Sequence, residues 1–132
     1  MINVIFHVGG LGLIHDNAIR LMTKVKQTRR SFHLSFAIVM GVTTLLATLL
    51  HAIEAGIWAA TYRALGALPD GKSALLYSLG AMTTYGHEAL YLAAHWQLMG
   101  TLEALNGMLL FGLTTAFLYS MIQRVWENAA RV

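Results

Sequence analysis

The chain contains no cysteine, which excludes disulfides and thiolate metal sites and leaves the redox compartment unread. Charge is nearly as scarce: Asp, Glu, Lys and Arg make up 11% of the 132 residues, against roughly 25% in a soluble domain. No basic residue precedes Arg20, and no small-residue cleavage site follows an apolar core, so the first spanning segment is expected to act as its own insertion signal. There is no phosphate-cradling loop, nucleophile motif or zinc signature. No catalysis and no cofactor are therefore expected.

Hydrophobic residues make up 57% of the chain. The charges that exist are clumped. Between Arg30 and Glu54 lie 23 positions free of Asp, Glu, Lys and Arg, and between Glu103 and Arg124 lie 20. Each gap is long enough to cross a hydrocarbon core, which takes about 20 helical residues. A soluble four-helix bundle needs polar residues every three or four positions on its outer face, and neither gap supplies charged ones. The expected fold class is an all-α membrane protein with transmembrane helices at about 32–62 and 101–124.

Five basic residues, Arg20, Lys24, Lys26, Arg29 and Arg30, precede the first span, Arg63 and Lys72 lie between the spans, and Arg124 and Arg131 follow the second. Seven against two favours both termini in the cytoplasm of a multi-pass protein of the cell's inner (plasma) membrane, with 66–98 outside. Trp58, Tyr62, Trp96 and Trp126 fall near the expected boundaries, where amphipathic rings favour the headgroup layer. From Ile14 to Val25 the apolar residues Ile14, Ala18, Leu21, Met22 and Val25 follow helical spacing, opposite His15, Asp16, Arg20, Thr23, Lys24 and Lys26. That pattern describes either an amphipathic interfacial helix, with anionic lipid against its basic side, or a leader packed on the protein itself. Residues 1–13, with Gly9, Gly10 and Gly12, give no clear period. The basic segment reads as topology and lipid contact and not as nucleic-acid binding.

The connection carries the turn signal Leu68-Pro69-Asp70-Gly71, followed by the apolar run Ser73 to Thr84. Twelve helical residues rise about 18 Å, too short to span. Asp70 or Ser73 is the candidate N-cap. Such a half-helix either dips into the membrane and returns, which needs several subunits around a pore, or lies at the interface. The expected organisation is a 1–30 amphipathic segment, a 31–126 pore domain with a re-entrant helix at 73–84, and a 127–132 cytoplasmic tail.

The run Tyr77-Ser78-Leu79-Gly80-Ala81-Met82-Thr83-Thr84, then Gly86, Trp96 and Leu102-Glu103-Ala104-Leu105-Asn106-Gly107-Met108-Leu109-Leu110-Phe111-Gly112 resembles the small bacterial ion-channel proteins of the two-transmembrane potassium-channel superfamily. The resemblance extends from His51-Ala52-Ile53-Glu54-Ala55-Gly56-Ile57-Trp58 to Phe117, about half the chain. It implies a homotetramer with a central pore, 73–84 as pore helix, and Gly107 to Met121 lining an inner cavity. Family filters read close to Thr-Val-Gly-Tyr-Gly-Asp, whereas this chain reads Thr84-Tyr85-Gly86-His87-Glu88-Ala89. Gly86 keeps the first glycine, His87 stands for the tyrosine and Glu88 replaces the second glycine. A side chain at that glycine resists the positive φ values that stack carbonyl rings, at a cost of about 1 kcal/mol or more.

Thr83, Thr84, Tyr85, Gly86, His87 and Glu88 are thus the candidate filter and pore mouth. Glu88 either forms a cation-attracting acidic ring or turns sideways to a partner or to outer water, and His87 either titrates at the mouth or is simply hydrogen-bonded. Gly107, Gly112, Thr114, Phe117 and Met121 are the candidate pore-lining or gate residues. Gly107 and Gly112 suit a bend or close packing. Asn106, Thr114 and Thr115 face a cavity or bond between helices, and Phe117 with Met121, four apart, forms a constriction or packs in the bundle. Glu103 needs water or a partner. His51 and Glu54, three apart, suit a metal pair or an internal hydrogen bond equally, and no metal site is assigned.

The expected function is passive conduction of a monovalent cation, K+ or Na+, with altered or weak selectivity. A non-conducting membrane protein that keeps the scaffold for assembly, sensing or partner binding is the alternative reading of the same segment, 83–88.

Overall fold

The computed structural model describes residues 2–24, 29–86 and 90–130, with side chains for 2–21, 34–86 and 90–124. Four helices account for the described residues, with no strand among them: α1 (Ile2–Lys24), α2 (Arg29–Ala64), α3 (Gly71–Met82) and α4 (Gln97–Ala130), with a short 3-10 turn (Ala94–Trp96) leading into α4.

Two stretches are long and apolar enough to cross a membrane: Leu34–Ala64, with mean hydropathy 2.1, and Ala94–Arg124, with mean hydropathy 1.5. Only 28% and 22% of their most apolar windows are buried inside the molecule, which separates them from core helices of a soluble protein. Leu34, Ile38, Leu45, Leu49 and Ile53 on α2, and Leu102, Leu105, Met108 and Leu109 on α4, are all exposed. Large apolar side chains exposed at this frequency along a helix are unusual in a water-facing monomer.

Helix α2 closes with a glycine cap. Gly66 has φ +67, the Ala67 amide donates to the Tyr62 carbonyl at 2.9 Å, and the Gly66 amide donates to the Arg63 carbonyl at 3.1 Å. This is the paired 6→1 and 5→2 pattern that satisfies a helix's last carbonyls. Arg63 then donates to the carbonyls of Leu68 and Pro69, fixing the turn into α3. Asp70, and not Ser73, is the N-cap of α3: it accepts from the Ser73 amide at 2.9 Å and the Ser73 hydroxyl at 2.7 Å. The helix therefore starts two residues before the apolar run and ends at Met82, where Thr84 turns left-handed at φ +57.

The chain divides into two compact units, Met1–Leu50 with Leu113–Val132, and His51–Gly112. In the first, α1 packs on α2 and α4. Leu11 meets Ala47 and Leu50, flanked by Ile14 and Phe117, and Ala18 meets Val39 and Met121. Of the apolar residues spaced from Ile14 onward, Ile14 and Ala18 pack on the protein itself, whereas Leu21 is exposed. The helix also begins at Ile2, through the glycine-bearing stretch that lacks a clear period. Gly10 lies so close to Leu50 that a Cβ would stand 2.8 Å from its methyl carbon. Val25, Lys26 and the side chains of Lys24, Arg29, Arg30 and Trp126 lie outside the described residues.

In the second unit, Ala59, Tyr62, Leu68, Ala74, Tyr77, Ala81 and Leu92 form one apolar cluster, with Trp58, Trp96 and Met99 against it. Gly107 lets α4 touch the end of α3: a Cβ there would stand 2.5 Å from the Met82 carbonyl oxygen and 2.6 Å from its Cα.

Candidate functional site

The site grows from the C-terminal end of α3. The Thr83 amide donates to the Leu79 carbonyl at 3.0 Å, the Thr84 amide to Ala81 at 3.2 Å and the Gly86 amide to Gly80 at 3.3 Å. Three of four successive amides therefore turn back onto the last carbonyls of the helix. No peptide bond among the described residues is cis, and in a trans peptide the N–H and the preceding C=O point oppositely. The carbonyls of Met82, Thr83 and Tyr85 consequently aim away from α3. Met82's lies against Gly107.

Thr84 and Gly86 both occupy the left-handed region, at φ +57 and +83. Glycine adopts it freely. A β-branched threonine does so rarely, and such strained residues cluster at functional sites. Thr84 stands where Gly66 stands in the cap of α2 and makes the same 5→2 bond, to Ala81, but the Gly80 carbonyl accepts from Gly86 and not from Tyr85, so the turn after α3 is one residue wider. Thr83, Thr84, Tyr85 and Gly86 are all exposed, whereas His87 and Glu88 lie outside the described residues. A concavity of about 450 Å³ is lined by Met82, Thr83, Thr84, Met108 and Phe111. A second, of about 440 Å³, shares Thr84 and is bounded by Tyr77, Ala81, Gly86, Leu92 and Gly100 among others.

Behind α3 sits a buried polar cluster. Glu103 on α4 is fully buried, accepts from the Tyr62 hydroxyl of α2 at 2.7 Å and is in hydrogen-bond contact with the Ser78 hydroxyl of α3. Ser78 Oγ also stands 2.8 Å from the Ala55 carbonyl oxygen. Tyr77 meets Tyr62 edge-on, ring centres 5.3 Å apart. One carboxyl group therefore joins three helices around the base of the site. The expectation that Glu103 needs a partner is met twice over. Its partners, Tyr62 and Ser78, carry no local signal in the sequence that points to it.

On α2, His51 Nδ1 stands 3.5 Å from Glu54 Oε2, and the His51 ring stacks on Phe111, 4.2 Å between centres and 11° between planes. Asn106 Nδ2 and Trp58 Nε1 are buried and lack a hydrogen-bond partner among the described residues.

The candidate lining residues of α4 divide. Gly107 is a close-packing glycine, as its contact with Met82 shows, and Gly112 is exposed with open space around it. Thr114 is buried and lies 2.9 Å from His7 Nε2 in a hydrogen bond to α1. Phe117 contacts the clusters around Leu11 and Ala18, and Met121 is 2% exposed. The spacing of four that aligns Phe117 with Met121 is thus met by α1, so these two and Thr114 face a covered side of α4. Thr115 is exposed.

Comparison with protein-family models, with characterised proteins and with solved structures finds no match for this chain.

Proposed function

We propose that the chain is one subunit of a homotetrameric membrane pore that passes monovalent cations, K+ or Na+, down their gradient, with α3 as the pore helix and residues 83–88 as its constriction. The carrying observation is the backbone at 83–86: the amides of Thr84 and Gly86 donate back to α3, so the carbonyls of Thr83 and Tyr85, in the same peptide units, are turned outward from the helix. Four copies around an axis would set two rings of such oxygens, which can replace part of a cation's hydration shell. Two rings make a shorter ladder than a regular stack, which fits weak selectivity. The two membrane-length helices support a bilayer setting, and non-helical backbone at that depth requires protein or a watery cavity beside it. In this reading the exposed side of α4, with Met108, Gly112 and Thr115, lines the cavity in place of Thr114, Phe117 and Met121.

Purified protein in planar bilayers under opposed K+ and Na+ gradients tests the proposal. Currents that reverse near the cation potential and not the anion potential are expected. A tetramer that stays silent under every gradient overturns conduction and leaves a membrane assembly or sensing role on the same scaffold.

A further inference from the structure

The N-terminal half of α1 presents an apolar outer face that no other described residue covers. Ile2, Ile5, Phe6, Val8 and Leu13 are exposed, while His7, Leu11 and Ala18 on the opposite side are buried. The depth of this face follows from the contacts of the buried side. His7 bonds Thr114, ten residues before Arg124 in the second membrane-length stretch, and Leu11 packs on Ala47 and Leu50, well inside the first, which begins at Leu34. At about 1.5 Å per residue, His7 is therefore roughly 15 Å from the level of Arg124, about half the thickness of a hydrocarbon core.

The charge pattern of α1 agrees with that depth. Residues 2–14 contain no Asp, Glu, Lys or Arg. The first charges, Asp16 and Arg20, come about half a turn and just under two turns later, where His15 stands 3.4 Å from both Asp16 Oδ1 and Arg124 Nη1. The apolar end of α1 is thus level with the middle of the spans and the charged end with the basic terminus of one of them.

We propose that residues 2–14 of α1 are embedded in the bilayer, with Ile2, Ile5, Phe6, Val8 and Leu13 against lipid acyl chains and Asp16 and Arg20 at the headgroups. A surface helix is excluded by the same contacts, since residues bonded to mid-span positions cannot lie in the headgroup plane. His7 fits this setting because its polar atom is turned inward to Thr114, and polar groups in membranes face the protein interior and find partners there. The inference rests on the membrane reading alone and is indifferent to conduction.

Because the chain has no cysteine, single nitroxide labels can be placed on the full protein at Ile5→Cys, Leu13→Cys and Asn17→Cys, with the exposed Leu45→Cys and Leu49→Cys on α2, beside the residues that pack on Leu11, as references. After reconstitution in phosphatidylcholine–phosphatidylglycerol vesicles, collision rates with oxygen and with a water-soluble nickel chelate are measured. Ile5 and Leu13 are expected to match the α2 references, with an oxygen-to-nickel ratio several-fold above that at Asn17. Nickel access at Ile5 and Leu13 with protected references means an aqueous α1 and overturns the inference. Exclusion of both reagents there means a second copy or another protein covers the face, which also overturns it. Nickel access at the references themselves defeats the membrane reading, and the inference with it.

Discussion

The Tyr62 hydroxyl donates to Glu103 Oε2 at 2.7 Å, joining α2 to α4 through a carboxyl group that also contacts Ser78 of α3. The Ser78 hydroxyl has a single proton, yet it faces two acceptors, Glu103 Oε1 and the Ala55 carbonyl. A group at position 103 that can both donate to Ser78 and accept from Tyr62 satisfies every partner. An amide does both. Glu103→Gln is therefore expected to fold with near-parental stability, whereas Glu103→Ala leaves Ser78 its Ala55 acceptor but strands the buried Tyr62 hydroxyl, at about 1–3 kcal/mol. Thermal unfolding in mild detergent checks this; an Ala variant as stable as the Gln variant would refute the three-helix role.

Close packing at Gly107 gives a second expectation. Any Cβ there meets the Met82 backbone at 2.5–2.6 Å, and backbone cannot rotate aside as a side chain can. Gly107→Ala should cost about 1–3 kcal/mol, the range for overpacking, while Gly112→Ala, which meets nothing within 4 Å, should not destabilise. Parallel melts of the two variants decide the point. Equal stability would mean that α3 and α4 are not in contact at Gly107.

Asp70 makes the start of α3 sensitive to acid. Its carboxyl is held below the ordinary value of 3.8, first by the Ser73 amide and then by the Ser73 hydroxyl. A depressed folded-state value means that the cap's contribution is fully present above the unfolded pKa and is lost as pH falls through the folded one. Amide-exchange protection at residues 73–76 should decline as pH drops below 3.8. Asp70→Asn, which still caps, should flatten that decline, and Asp70→Ala should lower protection at every pH. A pH dependence unchanged in Asp70→Asn would assign it to another group.

The parts of this fold written locally were legible. Charge-free gaps gave α2 and α4, and the Leu68-Pro69-Asp70-Gly71 signal gave the start of α3, because caps and spans depend on neighbours in sequence. The pairing of α1 with α4 was not legible. His7 and Thr114 are 107 residues apart, and a helix whose outer face is as apolar as its inner one has no sharp period to read. Membrane helices lose that signal because lipid accepts the side that water would reject. Phe117 and Met121 illustrate the cost: their spacing specifies a shared face but not which helix covers it. The left-handed turn at Thr84 was hidden for the opposite reason, since threonine is a residue that local rules place elsewhere.

Thr84 also gives the most direct link between backbone and conduction. Its φ of +57 costs a residue with a Cβ roughly 1–2 kcal/mol, and glycine would recover that cost less about 0.4–1 kcal/mol of extra unfolded-chain entropy. Thr84→Gly should therefore stabilise slightly, by up to about 1.6 kcal/mol, while Gly86→Ala, at φ +83, should destabilise by a similar amount. The functional expectation has the opposite sign. Threonine restricts the turn that aims the Thr83 and Tyr85 carbonyls outward, and glycine loosens it, so Thr84→Gly should raise the melting temperature and yet change the K+ to Na+ current ratio. Melting in detergent and bi-ionic reversal potentials in bilayers give both readouts on the same preparation. If the variant is stabilised and its ion preference is untouched, the strain at Thr84 belongs to the helix cap alone and the carbonyls beside it do not set selectivity.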